Sequence, residues 1–475
     1  MEQPEYDVIV VGGGPSGLSA AWELRDRKIM ILEKTHRLGG RLYSMSRGDY
    51  WINLGGHLFP PAGSHMRNIL HSIGLDVIAI PGNKFAIYWD GKVYKPGSVS
   101  ALPLTMKMKL GERIALAWNG LRIMKAVKGW QEAMKPIYGE SNQHRRARVA
   151  RYMSDQSFRQ FMGPLPKRLE ALFQSAARRA AAEMEDQHAG VGGSLFGAVW
   201  AGKGDSMALN LNGGSGRFGE VMMELMGSRA CYHTTVKSVA KTGSYNTVVY
   251  ETNGVEHVAT ASQVIIAVPA YQAAAITRDI PDEVRETLQG VQYGPFPTMG
   301  IITDETGPMP YDDIYAITTP DASFDMFFNH ANPLRSSGPR KPGGSLMVYS
   351  GGEPARQMLK LSDDEIRDRY LADIYKMFPT LKGHVKETIV QRWEPGNTYR
   401  PAGFNFDPML AYCERKDVDI HFAGDYFAEI GNMEIATGTG HEAARRARSR
   451  LMNNDHKVAQ LRPATESSPA LEKKA

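Results

Sequence analysis

Gly12, Gly14 and Gly17 form a GxGxxG pattern directly after the apolar run Val8-Ile9-Val10-Val11. Glu33 closes a second apolar run, Ile29-Met30-Ile31-Leu32, 21 positions past Gly12. Residues of these types at this spacing suit the binding of a dinucleotide. Gly12 permits a tight turn, Gly14 lets backbone approach a pyrophosphate, and Gly17 lets a helix pack closely on a strand. The helix that starts there turns free N–H groups and a positive dipole end toward the phosphates. Glu33 is placed to accept hydrogen bonds from the adenosine ribose hydroxyls.

The elements that must position these groups are a strand, a turn, a helix running to Arg25 and a second strand, which together make a βαβ unit. Glycine triplets alone are weak signals. Here the strand, the spacing, the second strand and the acid agree. The unit continues into Arg37-Leu38-Gly39-Gly40-Arg41, where a cation stands beside two glycines.

The chain has 475 residues, enough for two or more domains. Its hydrophobic share of 42% is that of an ordinary soluble protein, and no apolar run is long enough to cross a bilayer. Polar Glu2, Glu5 and Asp7 around the first apolar segment argue against a secretory signal. Cys231 and Cys413 lie far apart, which fits a reducing, cytoplasmic setting. No Cys/His cluster has zinc-ligand spacing, so no metal is expected. The net charge of +5 is partly local. Lys107, Lys109, Arg113, Arg122, Lys125, Lys128, Arg145, Arg146, Arg148 and Arg151 crowd one region. That pattern reads as a solvated helix face or as a surface for peripheral docking on a membrane or partner. No nucleic-acid module is recognisable.

Residues 85–205 read mostly as helix. Leu165, Leu169, Leu172, Phe173, Ala176 and Ala180 recur at helical spacing opposite Lys167, Arg168, Arg178 and Arg179. Gly192-Gly193 and Gly202-Lys203-Gly204 read as loops, and Asn212-Gly213-Gly214-Ser215-Gly216 as a turn opening a helix over 218–226. Strands follow at 235–239, 247–250, 264–268, 298–303, 325–329 and 346–350. Asp363–Met377 is expected to be an amphipathic helix, 420–425 a last buried strand, and 434–453 a helix with a basic end. The expected fold class is α/β, a Rossmann-like dinucleotide-binding domain with an inserted α+β substrate domain. The discontinuous first domain takes 1–85, 205–270 and 385–453. The insertion takes 86–204, mostly helical, and 271–384, a mixed sheet. Residues 454–475 are expected to be a disordered tail.

Glu33-Lys34-Thr35-His36-Arg37-Leu38-Gly39-Gly40-Arg41 resembles the ExxxRxGGR signature of the flavin amine oxidase superfamily. That superfamily includes amine oxidases, protoporphyrinogen oxidases and phytoene-desaturase-like enzymes. Asn53-Leu54-Gly55-Gly56-His57 is similar to the loop that runs beside the flavin in those families. Phe422-Ala423-Gly424-Asp425, with Asn432-Met433-Glu434-Ile435-Ala436-Thr437-Gly438, is similar to their C-terminal FAD motif. The resemblance spans roughly 6–450 and is strong at the two ends and weak in the middle.

The resemblance implies a non-covalent FAD cofactor. It assigns Gly12, Gly14, Ser16, Gly17, Glu33, Lys34, Gly39, Gly40, Arg41, Gly55, Gly56, Val236, Gly424, Asp425, Met433 and Glu434 to cofactor binding. Arg41 supplies a fixed cation to the pyrophosphate, a task lysine does less well. Asp425 accepts from a ribityl hydroxyl, Val236 takes the adenine-contacting strand position, and backbone N–H groups at Met433 and Glu434 face the flavin's pyrimidine oxygen. In covalent relatives a cysteine follows the tryptophan segment, matched here by Arg392-Trp393-Glu394-Pro395. The corresponding stretch here is Ala402-Gly403-Phe404.

The chain departs from the amine-oxidase pattern. Those enzymes carry a lysine on a substrate-domain strand, and the position falls at about Met299. They also place two aromatics before the flavin, where this chain has Ile430-Gly431-Asn432 near the second place. Gly424-Asp425-Tyr426 leans toward the desaturase-like branch, and the segment from Phe158 to Pro164 toward protoporphyrinogen-oxidase relatives. The implied reaction is hydride transfer from an apolar organic substrate to flavin N5 with formation of a C=C bond, with O2 or another electron acceptor. Oxidation of an amine to an imine, redox-neutral isomerase or mutase chemistry, and a non-enzymatic escort role are the alternatives. His57 and Trp393 are the candidate catalytic residues, His57 because an imidazole titrates near neutrality. Phe327, Phe328 and Tyr349 are candidates to line an apolar pocket.

Overall fold

The structure, a computed structural model, describes residues 3–81, 83–95, 102–200, 209–336 and 339–461. The expected loop at Gly202-Lys203-Gly204 and residues 462–475 lie outside these.

Two seven-stranded sheets organise the chain. In the first, Tyr6–Val11 lies between Ile29–Leu32 and Val255–Ile266, parallel to both, with Val8 opposite Ile29 and Ile9 opposite Val264. Ile420–Phe422 adds a parallel strand beside Val255–Ile266. Val8, Ile9 and Val10 are fully buried, which is why this strand reads as a continuous apolar run rather than an alternating one. Helices cover both faces. Leu18 and Ala21 of Pro15–Glu23 pack with Ala443, Ala444 and Ala447 of the C-terminal helix on one side. Ala273, Leu288, Met409 and Leu410 fill the other. This is the α/β, Rossmann-like arrangement expected.

The second sheet has the order Val385–Tyr399, Gln292–Thr303, Gly344–Tyr349, Met326–Asn329, Ile314–Thr318, Asn83–Trp89 and Lys92–Tyr94. Val385–Tyr399 pairs with Gln292–Thr303 over most of its length, so 385–399 belongs to this sheet and not with the dinucleotide unit. Conversely, Ala270–Ile276 and Asp282–Gly290 pack on the first sheet. Side chains alternate across the second sheet. Met299, Ile301, Phe327, Leu346 and Val348 meet Ile366, Tyr370 and Ile374 of helix Asp363–Met377 in one core. Ser362 and Glu365 form a capping box that starts this helix at the expected residue.

Helices Leu110–Met134, Asn142–Ala150, Phe158–Met162, Lys167–Ala177 and Ala189–Trp200 fill the region between. Gly192 and Gly193 lie inside the last of these rather than in a loop. A Cβ at Gly192 would stand 2.3 Å from the Phe158 ring, so glycine here serves close helix packing. The expected tail begins as helix, since Met433–Leu461 continues well past Asn453.

Candidate active site

A cavity of about 820 Å³ runs from the glycine turn to the inner face of the second sheet. Gly12, Gly14, Ser16, Glu33, Lys34, Gly40, Arg41, Gly55, Gly56, His57, Val236, Trp393, Gly424, Asp425 and Met433 all line it. Residues from both ends of the chain therefore share one site.

Gly12 turns the chain with φ +103°, a conformation that favours glycine. Helix Pro15–Glu23 then starts with no side-chain cap at Gly14, and a Cβ built on Gly14 meets nothing within 4 Å. The helix end thus opens into space sized for an anion. Glu33 is held in place before any ligand arrives. Its Oε2 accepts from the Gly13 N–H at 2.8 Å, and its Oε1 accepts from the Thr35 N–H and hydroxyl at 2.8 and 2.7 Å.

Arg41 is fixed from two sides. Nη2 pairs with Asp425 Oδ1 at 2.8 Å, and Nη1 donates to the Gly396 carbonyl at 2.8 Å. The Gly56 N–H donates to the Arg41 carbonyl at 3.0 Å, which ties the Gly55-Gly56-His57 loop to it. Trp393 Nε1–H donates to the Leu54 carbonyl at 2.5 Å and steadies the same loop. The donor set fits a flavin dinucleotide: an uncapped helix end, a ribose-type carboxylate and a half-buried guanidinium–carboxylate pair along one elongated cavity.

Three expected cofactor residues do not line the cavity. Gly17 faces the turn, where a Cβ would stand 1.9 Å from the Gly12 carbonyl oxygen. Gly39 donates its N–H to the Gly13 carbonyl at 2.8 Å and shapes the turn from behind. The Glu434 carboxylate accepts from the N–H groups of His65 and Met66 at 2.8 and 3.0 Å, so its side chain caps helix His65–Ser72.

His57 differs from expectation in its charge. Burial pushes its pKa down to about 4, against the pull of the Gly55 carbonyl, so the ring is neutral and does not titrate near neutrality. It is packed edge-on to Phe328 and His330, with ring centroids 4.5 and 4.7 Å away. Its Nε2 is buried without a partner.

The far end of the cavity is formed by Phe85, Phe296, Met326, Phe328, Met347 and Tyr349. Phe328 and Tyr349 are as expected, but Phe327 points to the opposite core, because neighbours on a strand face opposite ways. The same parity turns Met299, the residue at the expected lysine position, away from the cavity. Thr298 lines the cavity, and Met299 is buried behind the sheet. Gly431 and Asn432 also line it and bring no aromatic ring. Neither Cys231 nor Cys413 is among the lining residues. Arg179, read from periodicity as a solvated helix position, is among them. Helix Lys167–Ala177 tightens to a 3-10 turn at Arg178–Ala180, which rotates Arg179 off the expected face.

A family model for flavin-containing amine oxidoreductases matches residues 15–448. A probable flavin-containing monoamine oxidase A of Dictyostelium discoideum is 33% identical over 101 residues, 20% of this chain and 22% of that one. The chloroplastic protoporphyrinogen oxidase 1 of Spinacia oleracea is 24% identical over 326 residues, 61% of this chain and 55% of that one. These curated relatives are thus matched over about a fifth and about half of their lengths. Among solved structures, cyclohexylamine oxidase from Brevibacterium oxydans aligns with TM-score 0.73 at 16% identity over 94% of this chain and 100% of that one. Putrescine oxidase bound to putrescine aligns with TM-score 0.71 at 18% identity, covering 94% and 99%. With the ExxxRxGGR residues, Arg41 and Asp425 gathered at one site and the family match running nearly end to end, the chain belongs to the flavin-containing amine oxidoreductases and is an FAD-dependent oxidoreductase.

Proposed function

We propose that this oxidoreductase dehydrogenates an apolar organic substrate to form a C=C bond. The observation that carries the reading is the wall formed by Phe85, Phe296, Met326, Phe328 and Met347, with no lysine on strand Gln292–Thr303, which turns Thr298 to the cavity. Bound FAD would supply the hydride acceptor. The chain's own part is to exclude water, hold the reacting carbon in place and receive a proton. His57, with its unpartnered Nε2, is the proton acceptor in this reading, and a weak base because burial disfavours its charged form. Trp393 keeps its loop in place through Leu54.

The test is anaerobic bleaching of the flavin by panels of amines, cyclic ketones, porphyrinogens and isoprenoids. Bleaching by a non-amine with an unsaturated product is the expected result. Bleaching by amines alone, with imine formed, overturns it. Turnover without net bleaching points instead to isomerisation. Peroxide formed in air identifies O2 as the acceptor.

We also infer a peripheral contact with an anionic lipid surface. Among the described residues no helix is long and apolar enough to cross a membrane. Helix Leu110–Met134 nonetheless turns Leu110, Ile114, Trp118, Leu121 and Met124 to solvent, with Trp118 64% exposed. The row follows the helical repeat, and exposed Lys107, Lys109, Lys125 and Lys128 stand at its two ends. An apolar stripe flanked by lysines matches the acyl boundary and headgroups of anionic lipid.

A further inference from the structure

Arg178 and Arg179 are neighbours with opposite situations. Arg178 is fully engaged: its Nε lies 2.9 Å from Glu183 and its Nη1 3.5 Å from Asp325. Asp325 also accepts from the Gly351 N–H at 2.8 Å. Both carboxylates that contact Arg178 are thus already taken. Arg179 lines the cavity, and among the described residues no carboxylate pairs with it.

The turn that carries Arg179 is locked against the sheet. A Cβ on Gly351 would stand 2.1 Å from the Arg178 carbonyl oxygen, and one on Gly294 1.8 Å from that of Ala181. Ala181 itself adopts φ +64°, a left-handed conformation that is strained for alanine. Two glycines and a strained residue hold this guanidinium at the aromatic end of the cavity. Tyr349, on the same wall, packs against Phe296 and Phe328. Burial pushes its phenol up to about 12, against the pull of the Arg179 guanidinium that hydrogen-bonds to it, so the phenol stays neutral and satisfies one donor of Arg179 without compensating its charge.

The other charges of the cavity lie elsewhere or are paired, and Lys34 stands solvent-exposed beside Glu33 at the opposite end. Arg41 pairs with Asp425, Arg392 with Asp363, and Arg37 donates to the Gly40 carbonyl. Glu33 is held by Gly13 and Thr35 at the opposite end, and Glu394 is solvent-exposed. An ammonium group at the aromatic end would meet the repulsion of this cation with no carboxylate beside it, only aromatic faces. A carboxylate would find a planar donor fork suited to bidentate binding.

We propose that Arg179 is a specificity residue that binds a carboxylate carried by the substrate, so that this site takes an apolar molecule with an acidic end. The inference rests on the reading of this cavity as the substrate site. It holds whatever bond is oxidised there.

The test is binding to the flavin-loaded protein, followed by the visible spectrum of the flavin without turnover. The probes are 3-phenylpropionate, its primary amide, 3-phenylpropylamine and 3-phenylpropyl phosphate. The carboxylate is expected to bind at least tenfold more tightly than the amide, and the amine to bind most weakly. Arg179→Gln removes the preference for carboxylate over amide while the flavin content stays that of the wild type. Arg179→Lys retains part of the preference. Equal binding of carboxylate and amide, or a preference that survives Arg179→Gln, overturns the proposal. Tighter binding of the phosphate overturns the carboxylate assignment. If Arg179→Gln does not fold, the wild-type ranking and the lysine variant decide. Failure of the dehydrogenation reading would appear only in the bleaching panels and would leave this ranking intact.

Discussion

Arg41 and Asp425 come from opposite ends of the chain and meet at 2.8 Å between guanidinium and carboxylate. Asp425 is buried at 7% exposure, and its partner is the cation that the first domain segment sends across the cavity. Arg41→Ala leaves that carboxylate buried and alone. The pair lies between an exposed and a fully buried one, so the expected loss is about 2 kcal/mol of stability. Flavin content, read as the ratio of visible to ultraviolet absorbance, should fall sharply in Arg41→Ala and less in Arg41→Lys. Full flavin retention in Arg41→Ala would remove Arg41 from the cofactor site.

Gly14 and Gly17 make opposite predictions though they share one motif. A Cβ at Gly17 collides with the Gly12 carbonyl oxygen at 1.9 Å, so Gly17→Ala should prevent the turn from closing and yield unfolded or aggregated protein. A Cβ at Gly14 meets no protein atom within 4 Å and projects into the space assigned to the pyrophosphate. Gly14→Ala should fold with a wild-type circular dichroism spectrum and bind flavin at least tenfold more weakly. The comparison fails if both variants behave alike.

Several buried histidines make the fold acid-sensitive. Burial lowers His57 and His188 to about 4 and His421 to about 3, and it holds His330 well below the usual imidazole range. In the unfolded chain each titrates near 6.5. As pH falls from 6.5 toward 4, the unfolded chain takes up protons that the folded chain refuses, so stability falls. The limiting slope is about 1.4 kcal/mol per pH unit for each such histidine. Urea melts at pH 7, 6 and 5 should show a midpoint that drops steadily. A flat midpoint over that range contradicts the assigned burial.

The elements set by local chemistry were legible in the sequence. Helix Asp363–Met377 begins where Ser362 and Glu365 make a capping box, and the dinucleotide turn follows from Gly12, Gly14, Gly17 and Glu33. What depends on tertiary contact was not. Gly192 and Gly193 carry the residue type of a loop, yet they sit in a helix, where Phe158 needs the space beside Gly192. Thr298 and Met299 differ only in which face of a strand they occupy, which pairing with distant strands decides. Arg179 left its periodic face because the helix tightened after Ala177, a change that the glycines at 294 and 351 accommodate from distant strands.

Flavin release separates the two cysteines from the cofactor. Cys413 is buried among Met409, Leu410 and Tyr412, and Cys231 lies on the edge strand Ala230–Cys231, so neither reaches the cavity. Acid precipitation should leave all the flavin in the supernatant. Yellow colour retained in the pellet would show a covalent link and contradict the placement of both thiols.

The exposed row on helix Leu110–Met134 gives the last prediction. Trp118 and Leu121 stand 64% and 58% exposed, and neither packs in a core cluster of the chain. Replacing both with glutamate therefore removes little internal packing. On a membrane each side chain would bury roughly 1.5 kcal/mol or more of apolar surface. The double variant Trp118→Glu/Leu121→Glu should then bind vesicles at least 100-fold more weakly than the wild type, with unchanged thermal stability and flavin content. Vesicles of mixed phosphatidylcholine and phosphatidylserine should capture the wild type more strongly than phosphatidylcholine alone, and added salt should weaken that preference, because the flanking lysines act through screened charge. Wild type that stays in the supernatant with both vesicle types would show that the stripe serves another contact, and dimerisation in solution lost in the same double variant would identify a second copy of the chain as its occupant.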